Sequence, residues 1–293
     1  MPLPKFEYLS PKSLEEALQL LAERGEGTHL LAGGTDLLVK MAHGHLKPRA
    51  VIALKQIDAL GGIRFDPEDG LTIGATALLD EVASHPDVRA HFPSVAYAAQ
   101  ETANVQIRNM GTVSGNLCNA APSADNAPTL TAMGGEAVIA GPKGERRVPL
   151  DRFFKGPGQT DIEPGEILTA VHVPVVPPGF GTSYQHISPR GRVDIAAVCV
   201  GAMVGMESAV CREARIVLGA VAPVPMRAKE TEALVKGKEL TPEVLEQAGR
   251  QASEEARPIS DMRASAEYRK RMTAVLTRRA LERAAQAAAN GSR

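Results

Sequence analysis

The chain has 293 residues, of which 44% are hydrophobic and 23% charged, and 33 basic against 34 acidic side chains leave a formal net charge of −1. These values are typical of a folded globular protein, and the length favours about two domains. The balanced charge argues against a general nucleic-acid-binding role. No apolar run approaches the ~20 residues of a membrane helix. The first residues lack the apolar core of a secretory signal, so we expect a cytoplasmic protein.

The N-terminal region predicts a helix–strand–helix–strand unit. Ser13 and Glu16 match a capping box at the start of the first helix, and Gly25 is suited to its end. The remaining elements of this unit are a strand over residues 29–32, a helix over 37–42 and a strand over 50–54.

The middle region predicts mixed α and β structure, with a long stretch that has little periodicity. Residues 104–128 are rich in Gly, Asn, Ser, Thr and Ala, and such a stretch in a domain is usually functional or disordered. Its regularly placed apolar residues favour order. The predicted strands are 71–75, 137–140 and 167–173, and the predicted helices are 76–84 and 94–103.

A cluster of prolines over residues 174–178 predicts a domain boundary near residue 176. Beyond it, three strands are expected over 182–187, 195–206 and 214–221. Thr241 and Pro242 begin a helical region that continues to the C-terminus, where residues 284–293 are expected to be frayed. Strands followed by helices indicate an α+β C-terminal domain.

The cysteines and a histidine pair are candidates for metal binding only in principle. Cys118, Cys199 and Cys211 match no zinc or iron–sulfur spacing, and their odd number argues against a disulfide framework. We interpret them as reduced thiols. His43 and His45 are interpreted as surface or structural residues, with a metal site as the alternative.

The first segment that could carry chemistry is Leu31, Ala32, Gly33, Gly34, Thr35 and Asp36. Paired glycines allow unusual backbone angles and let backbone N–H groups converge on an anion. The following helix start adds further unpaired N–H donors. The segment is therefore either a simple tight turn or a phosphate-binding loop.

The second segment runs from Gly111 to Leu117 and again combines glycines, hydroxyls and an amide. Two such loops in one domain could hold the two phosphates of a dinucleotide. Neither matches a Rossmann fingerprint or a P-loop. Asp125, shortly after the second loop, could accept hydrogen bonds from ribose hydroxyls, or it could cap a turn before Pro128.

The motifs LLAGGTDLL and QIRNMGTVSGNLCNAAPSAD resemble the FAD-binding medium subunits of molybdenum hydroxylases, including carbon monoxide dehydrogenase and xanthine dehydrogenase. The resemblance covers the whole chain. It implies a vanillyl-alcohol-oxidase (PCMH) type of FAD-binding domain with two α+β subdomains, followed by a C-terminal α+β domain that contains a three-stranded antiparallel sheet and helices. The implied boundaries are 1–55, 56–176 and 177–293.

The resemblance also implies roles for individual residues. The first loop, Leu31 to Asp36, and the second, represented by Thr112, Ser114 and Gly115, would bind FAD non-covalently through its pyrophosphate. Asn116 and Leu168 match positions beside the flavin, Asp125 matches an aspartate that binds the adenosine part, and Ala103 matches a backbone contact. His186 stands where relatives commonly carry a lysine near the flavin, and histidine is a weaker, titratable cation.

The implied function is electron transfer. An iron–sulfur small subunit would deliver electrons, a large subunit would hold the molybdenum cofactor, and the chain would pass electrons through FAD to an external acceptor within a dimer of heterotrimers. No catalytic acid, base or nucleophile is expected in this chain. The alternatives are a stand-alone flavin reductase similar to UDP-N-acetylenolpyruvoylglucosamine reductase and a nucleotide-binding module without a redox role.

Overall fold

The computed structural model describes residues 3–191 and 194–291, and these form an α+β protein with several separate sheets, as predicted. The strands are β1 (Glu7–Leu9), β2 (Thr28–Leu31), β3 (Ala50–Ala53), β4 (Ile63–Asp66), β5 (Gly70–Gly74), β6 (Glu136–Gly141), β7 (Gly144–Pro149), β8 (Phe154–Gly156), β9 (Gln159–Thr160), β10 (Ile167–Pro174), β11 (Phe180–Ile187), β12 (Val198–Glu207), β13 (Val210–Gly219) and β14 (Met226–Arg227).

The helices are α1 (Leu14–Arg24), α2 (Leu37–Ala42), α3 (Leu79–Ser84), α4 (Pro86–His91), α5 (Pro93–Glu101), α6 (Val105–Arg108), α7 (Val113–Asn119), α8 (Asn126–Ala132), α9 (Leu150–Phe153), α10 (Lys229–Val235), α11 (Pro242–Glu255) and α12 (Ala266–Gly291). Within the described ranges, no helix is both long and apolar enough to span a membrane.

The first part of the chain forms a three-stranded parallel sheet with the order β1-β3-β2. The predicted cap of α1 is confirmed, because Ser13 Oγ accepts a hydrogen bond from Glu16 N at 3.1 Å. Ala17 of α1 is fully buried and packs in one core with Ile52 and Ile57. The strand β2 ends at the first glycine loop, so this sheet positions that loop.

The middle part of the chain forms a five-stranded antiparallel sheet with the order β4-β5-β10-β6-β7. Helices between β5 and β6 contribute to its core. The interpretation of residues 104–128 as aperiodic needs a correction, because they include α6, α7 and the start of α8. Helices of four and seven residues are too short to produce a clear helical period, although Val113 and Leu117 occupy core positions one turn apart.

The C-terminal part of the chain forms an antiparallel sheet with the order β11-β12-β13-β14. Its three long strands were predicted, and the two-residue β14 is an addition. The prediction of frayed residues 284–293 is wrong as far as Gly291, because α12 continues to that residue. Ala284 and Ala288 are buried, and a Cβ on Gly181 of β11 would lie 2.9 Å from the carbonyl carbon of Ala287. Ser292 and Arg293 lie outside the described residues.

Candidate functional site

A cavity of about 760 Å³ collects most of the predicted site residues. Its wall includes both glycine-rich segments, the residues just before α8 and Leu168 of β10. Eleven of the fourteen predicted residues line it, namely Ala32, Gly33, Gly34, Thr35, Asp36, Ala103, Thr112, Gly115, Asn116, Asp125 and Leu168.

The first glycine loop follows β2 and lies directly against the second one. A Cβ on Gly33 would lie only 2.6 Å from Gly111 Cα and would also meet the Met110 carbonyl oxygen. Gly34 has φ of 75°, a backbone conformation that costs an L-residue free energy. The missing side chain of Gly33 therefore lets the two loops meet backbone to backbone at the cavity wall, whereas Gly34 allows the turn of the first loop itself.

The second glycine segment is the start of helix α7. Thr112 precedes the helix, and its Oγ1 accepts a hydrogen bond from Gly115 N at 2.9 Å. Just before it, Gly111 O accepts a hydrogen bond from Leu79 N at 2.9 Å, which ties the segment to α3. The segment is thus fixed by side-chain capping and by backbone bonds to a neighbouring helix.

Three of the predicted residues do not line the cavity. Leu31 lies under the first loop, with its Cδ1 atom against Gly34. Ser114 is buried, and its Oγ has no hydrogen-bond partner within the described part of the chain. His186 lies at the junction between α5 and β11, where its Nε2 atom is 3.1 Å from Glu101 Oε2.

Asp125 joins the cavity wall to the C-terminal sheet. Its Oδ1 accepts a hydrogen bond of 2.7 Å from the hydroxyl of Tyr184, a fully buried residue of β11. Burial raises the pKa of the Asp125 carboxyl to about 6 despite that hydrogen bond, and it raises the pKa of the Tyr184 phenol well above its ordinary value. The wall beside Asp125 therefore changes its charge in a mildly acidic range.

Another part of the wall was missed by the sequence analysis. Residues 162–166, between β9 and β10, line the cavity, and they are held by Arg146. The Arg146 guanidinium makes hydrogen bonds of 2.8 and 2.7 Å to the two Glu166 carboxylate oxygens, and one of 2.9 Å to Asp161 Oδ2. Arg146, Asp161 and Glu166 are 5 to 20 positions apart in the sequence, and no local sequence pattern indicates that their side chains are in contact.

Two lining residues with basic side chains were also missed, His29 of β2 and Lys40 of α2. Burial and the nearby charge of Lys40 lower the pKa of His29. Lys40 Nζ donates to Asn119 Oδ1 at 2.7 Å, so α2 and α7 are linked across the cavity wall. A lysine at the fourth position of the helix that follows a glycine loop is too common a pattern to mark such a link.

Metal binding finds no support in the described residues, where no group of three or more His, Cys, Asp or Glu side chains is placed to hold an ion. The three cysteines are free thiols, with Cys199 and Cys211 buried and Cys118 exposed towards the cavity.

The wall fits a dinucleotide such as FAD. Its volume lies within the range of cofactor pockets, roughly 300–1,000 Å³. Glycines remove side chains where the two loops meet, so a phosphate could approach the backbone N–H groups closely. Since His29 and Lys40 are the lining residues with basic side chains among those described, backbone groups would carry most of the pyrophosphate recognition.

Comparisons with known proteins agree with this geometry. Residues 4–176 match the family model described as the FAD binding domain in molybdopterin dehydrogenase. Residues 183–284 match the model described as the CO dehydrogenase flavoprotein C-terminal domain. The cavity residues belong mainly to the first match, and Tyr184 and His186 belong to the second.

Individual relatives cover nearly all of the chain. The carbon monoxide dehydrogenase medium chain of Hydrogenophaga pseudoflava is 34% identical, with coverage of 96% of this chain and 97% of the relative. A putative xanthine dehydrogenase FAD-binding subunit of Escherichia coli is 31% identical, with 96% of both chains covered.

Solved structures show the same fold. A structure of carbon monoxide dehydrogenase from Hydrogenophaga pseudoflava has a chain that matches with a TM-score of 0.93 and 34% identity, over 97% of this chain and 98% of that one. A chain of quinoline 2-oxidoreductase from Pseudomonas putida matches with a TM-score of 0.92 and 28% identity, and both chains are fully covered. The chain therefore belongs to the FAD-binding medium subunits of the carbon monoxide dehydrogenase and xanthine dehydrogenase family of oxidoreductases.

Proposed function

We propose that this chain takes electrons from an iron–sulfur partner subunit and passes them, through non-covalently bound FAD, to an external acceptor within a molybdenum-containing hydroxylase or dehydrogenase. The observation that carries the proposal is the meeting of the two glycine loops at one cavity wall. It supports a pyrophosphate site made of backbone, with room beside it for the rest of a dinucleotide.

The residues that would hold FAD follow from that wall. The loop 32–36 and the segment Thr112–Gly115 would bind the pyrophosphate, and Ala103 would present its backbone, which has φ of 50°. Asp125 would accept hydrogen bonds from ribose hydroxyls, and Asn116 and Leu168 would lie beside the flavin. Leu31, Ser114 and His186 do not line the cavity, and their contribution to FAD binding remains a prediction.

The bound cofactor would supply reversible electron exchange, while the protein supplies binding, orientation and electrostatics. The cavity wall would hold the dinucleotide by backbone donors and would place the neutral Asn116 amide and the Leu168 side chain beside it.

The partners follow from the family. Because relatives are named medium chains, we propose a smaller iron–sulfur subunit and a larger subunit with the molybdenum cofactor, assembled as a dimer of heterotrimers in the cytoplasm. We also propose the division into residues 1–55, 56–176 and 177–293. The three-stranded, five-stranded and four-stranded sheets, which occupy successive parts of the chain, support that division.

The first test is the absorbance spectrum of the purified full chain, before and after acid treatment, followed by titration of the colourless protein with FAD. We expect flavin bands and complete release of FAD by acid. A chain that is folded by circular dichroism but takes up no FAD would contradict the proposal and favour the non-redox nucleotide module.

The second test concerns electron transfer. The FAD-loaded chain is mixed rapidly with its reduced iron–sulfur partner subunit, and the flavin absorbance is followed. We expect bleaching of the flavin that requires the partner. Rapid oxidation of a nicotinamide cofactor by the isolated chain, with no need for a partner, would instead favour the stand-alone reductase.

A further inference from the structure

At the cavity wall, three polar side chains form a connected row. Thr102 follows α5, Asn116 lies on α7, and Asn126 begins α8. Asn126 is fully buried and does not line the cavity, whereas Asn116 does. The Nδ2 atom of Asn126 lies 3.1 Å from Thr102 Oγ1 and 3.2 Å from Asn116 Oδ1.

The direction of this row is fixed by a backbone carbonyl. Thr102 Oγ1 lies 2.8 Å from Ala98 O, and a carbonyl oxygen can only accept, so the Thr102 hydroxyl must donate to it. The one proton of the hydroxyl is then used, and Thr102 Oγ1 acts as an acceptor towards Asn126. The Asn126 atom that faces it must therefore be the NH₂ group.

The same reasoning fixes the orientation of the Asn116 amide. The Asn126 NH₂ group also faces one end of the Asn116 amide, and that end must be the carbonyl oxygen in order to accept. The NH₂ group of Asn116 is then left for the cavity. Asn126 Oδ1 is buried without a hydrogen-bond partner among the described residues, but turning that amide around would oppose oxygen to oxygen at two contacts.

We propose that Asn126 is a positioning residue that fixes Asn116 as a hydrogen-bond donor towards an acceptor atom of the flavin ring. The inference rests on the proposed FAD site. A donor held in this direction favours a ring that gains electron density, so it raises the reduction potential of the bound FAD as well as its affinity. Thr102 acts at the beginning of the row, through Asn126.

The experiment uses the full chain with Asn126→Asp, which turns a donor into an acceptor, and Asn126→Ala, which removes the group. The matched control is Thr131→Val on the same helix. Thr131 is also buried, but its hydroxyl has no hydrogen-bond partner within the described residues, so the near-isosteric change removes no bond. Circular dichroism and thermal unfolding of the FAD-free proteins establish that each variant is folded.

We expect Asn126→Asp to weaken FAD binding about tenfold, the effect of about one lost hydrogen bond to the ligand, and to lower the reduction potential. Asn126→Ala shifts both quantities in the same direction by less, because it frees Asn116 without reversing it. Thr131→Val leaves both at the wild-type values. A merely structural role of Asn126 would lower thermal stability without moving the potential.

A double-variant cycle tests whether Asn126 acts through Asn116. In an Asn116→Ala background, Asn126→Ala is expected to cause no further loss of FAD affinity. Folded Asn126 variants with wild-type affinity and potential would overturn the inference, and so would an undiminished effect in the Asn116→Ala background. Failure of the proposed function can be distinguished from failure of this inference, because in that case the wild-type chain itself would not bind FAD.

Discussion

Two parts of the cavity wall are built in different ways. Where the glycine loops meet, the wall is backbone, and Gly33 packs so closely against Gly111 that a methyl group has no room. Where α5, α8 and β11 meet, the wall is backed by side chains: Asp125, which lines the cavity, is hydrogen-bonded to Tyr184, and His186 lies close to Glu101 behind it. The first part is constrained by shape and the second by charge and hydrogen bonding.

The difference separates two kinds of sensitivity. Backbone N–H groups do not titrate, so the glycine loops should respond to steric changes and ignore pH. The junction of α5, α8 and β11 contains the buried Asp125 carboxyl, and it should tolerate isosteric changes while responding to pH. The following predictions test this division.

The largest expected effect is that of Gly33→Ala. Its Cβ would meet backbone atoms of Met110 and Gly111, which cannot move aside as a side chain would, so we expect a loss of about 3 kcal/mol or more in unfolding free energy, and loss of FAD binding. The control is Gly61→Ala, where the nearest atom to a Cβ is at 3.4 Å. Urea unfolding and FAD titration measure both, and equal effects of the two changes would contradict the backbone interpretation.

The next effect is a pH dependence at Asp125. Because burial raises its pKa from 3.8 to about 6, the folded protein binds a proton that the unfolded chain releases between those values. Stability from this group is therefore lost as pH rises through that range, by about 3 kcal/mol at most. Between about pH 4 and pH 7, the unfolding free energy of the wild type should therefore fall by this amount relative to that of Asp125→Asn. Parallel pH profiles of the two proteins would contradict the raised pKa of the buried carboxyl.

A smaller effect is expected for Thr112→Ala. The change removes the acceptor of the Gly115 N–H group at the start of α7 and should lower the unfolding free energy by about 1 kcal/mol. Thr112→Ser keeps the hydroxyl and should retain most of the stability. If the serine variant were as unstable as the alanine variant, the buried methyl group and not the cap would be responsible.

The smallest effect is expected for Gly115→Ala, because a Cβ there would meet only a side-chain atom, Thr112 Oγ1, at 2.9 Å. The gain in helix propensity, about 1 kcal/mol, offsets that contact, so the unfolding free energy should stay within about 1 kcal/mol of the wild type. In a Thr112→Ala background the contact is gone, and Gly115→Ala should then stabilise. Strong destabilisation in both backgrounds would contradict this prediction and would indicate that the second segment, like the first loop, has no room for a methyl group.

The sequence predicted the first loop well because a glycine pair between a strand and a helix is a local pattern. It also predicted the three long C-terminal strands. It missed α6, which has only four residues, and it misjudged the end of α12, whose alanines gave no apolar period although they pack against Gly181. The Arg146 contacts and the Asn116–Asn126 bond join residues from separate elements, and a single sequence does not show such pairings.

Helix α8 connects the FAD-binding part of the chain, residues 4–176, to the C-terminal part, residues 183–284. All seven of its residues are buried, and a Cβ on Gly201 of β12 would lie 2.6 Å from Thr129 N, so the C-terminal sheet lies directly on the helix. A fragment that ended near residue 176 would expose that face to water. The chain should therefore unfold in a single calorimetric transition, and chimaeras of relatives should keep α8 and β11–β13 from the same parent.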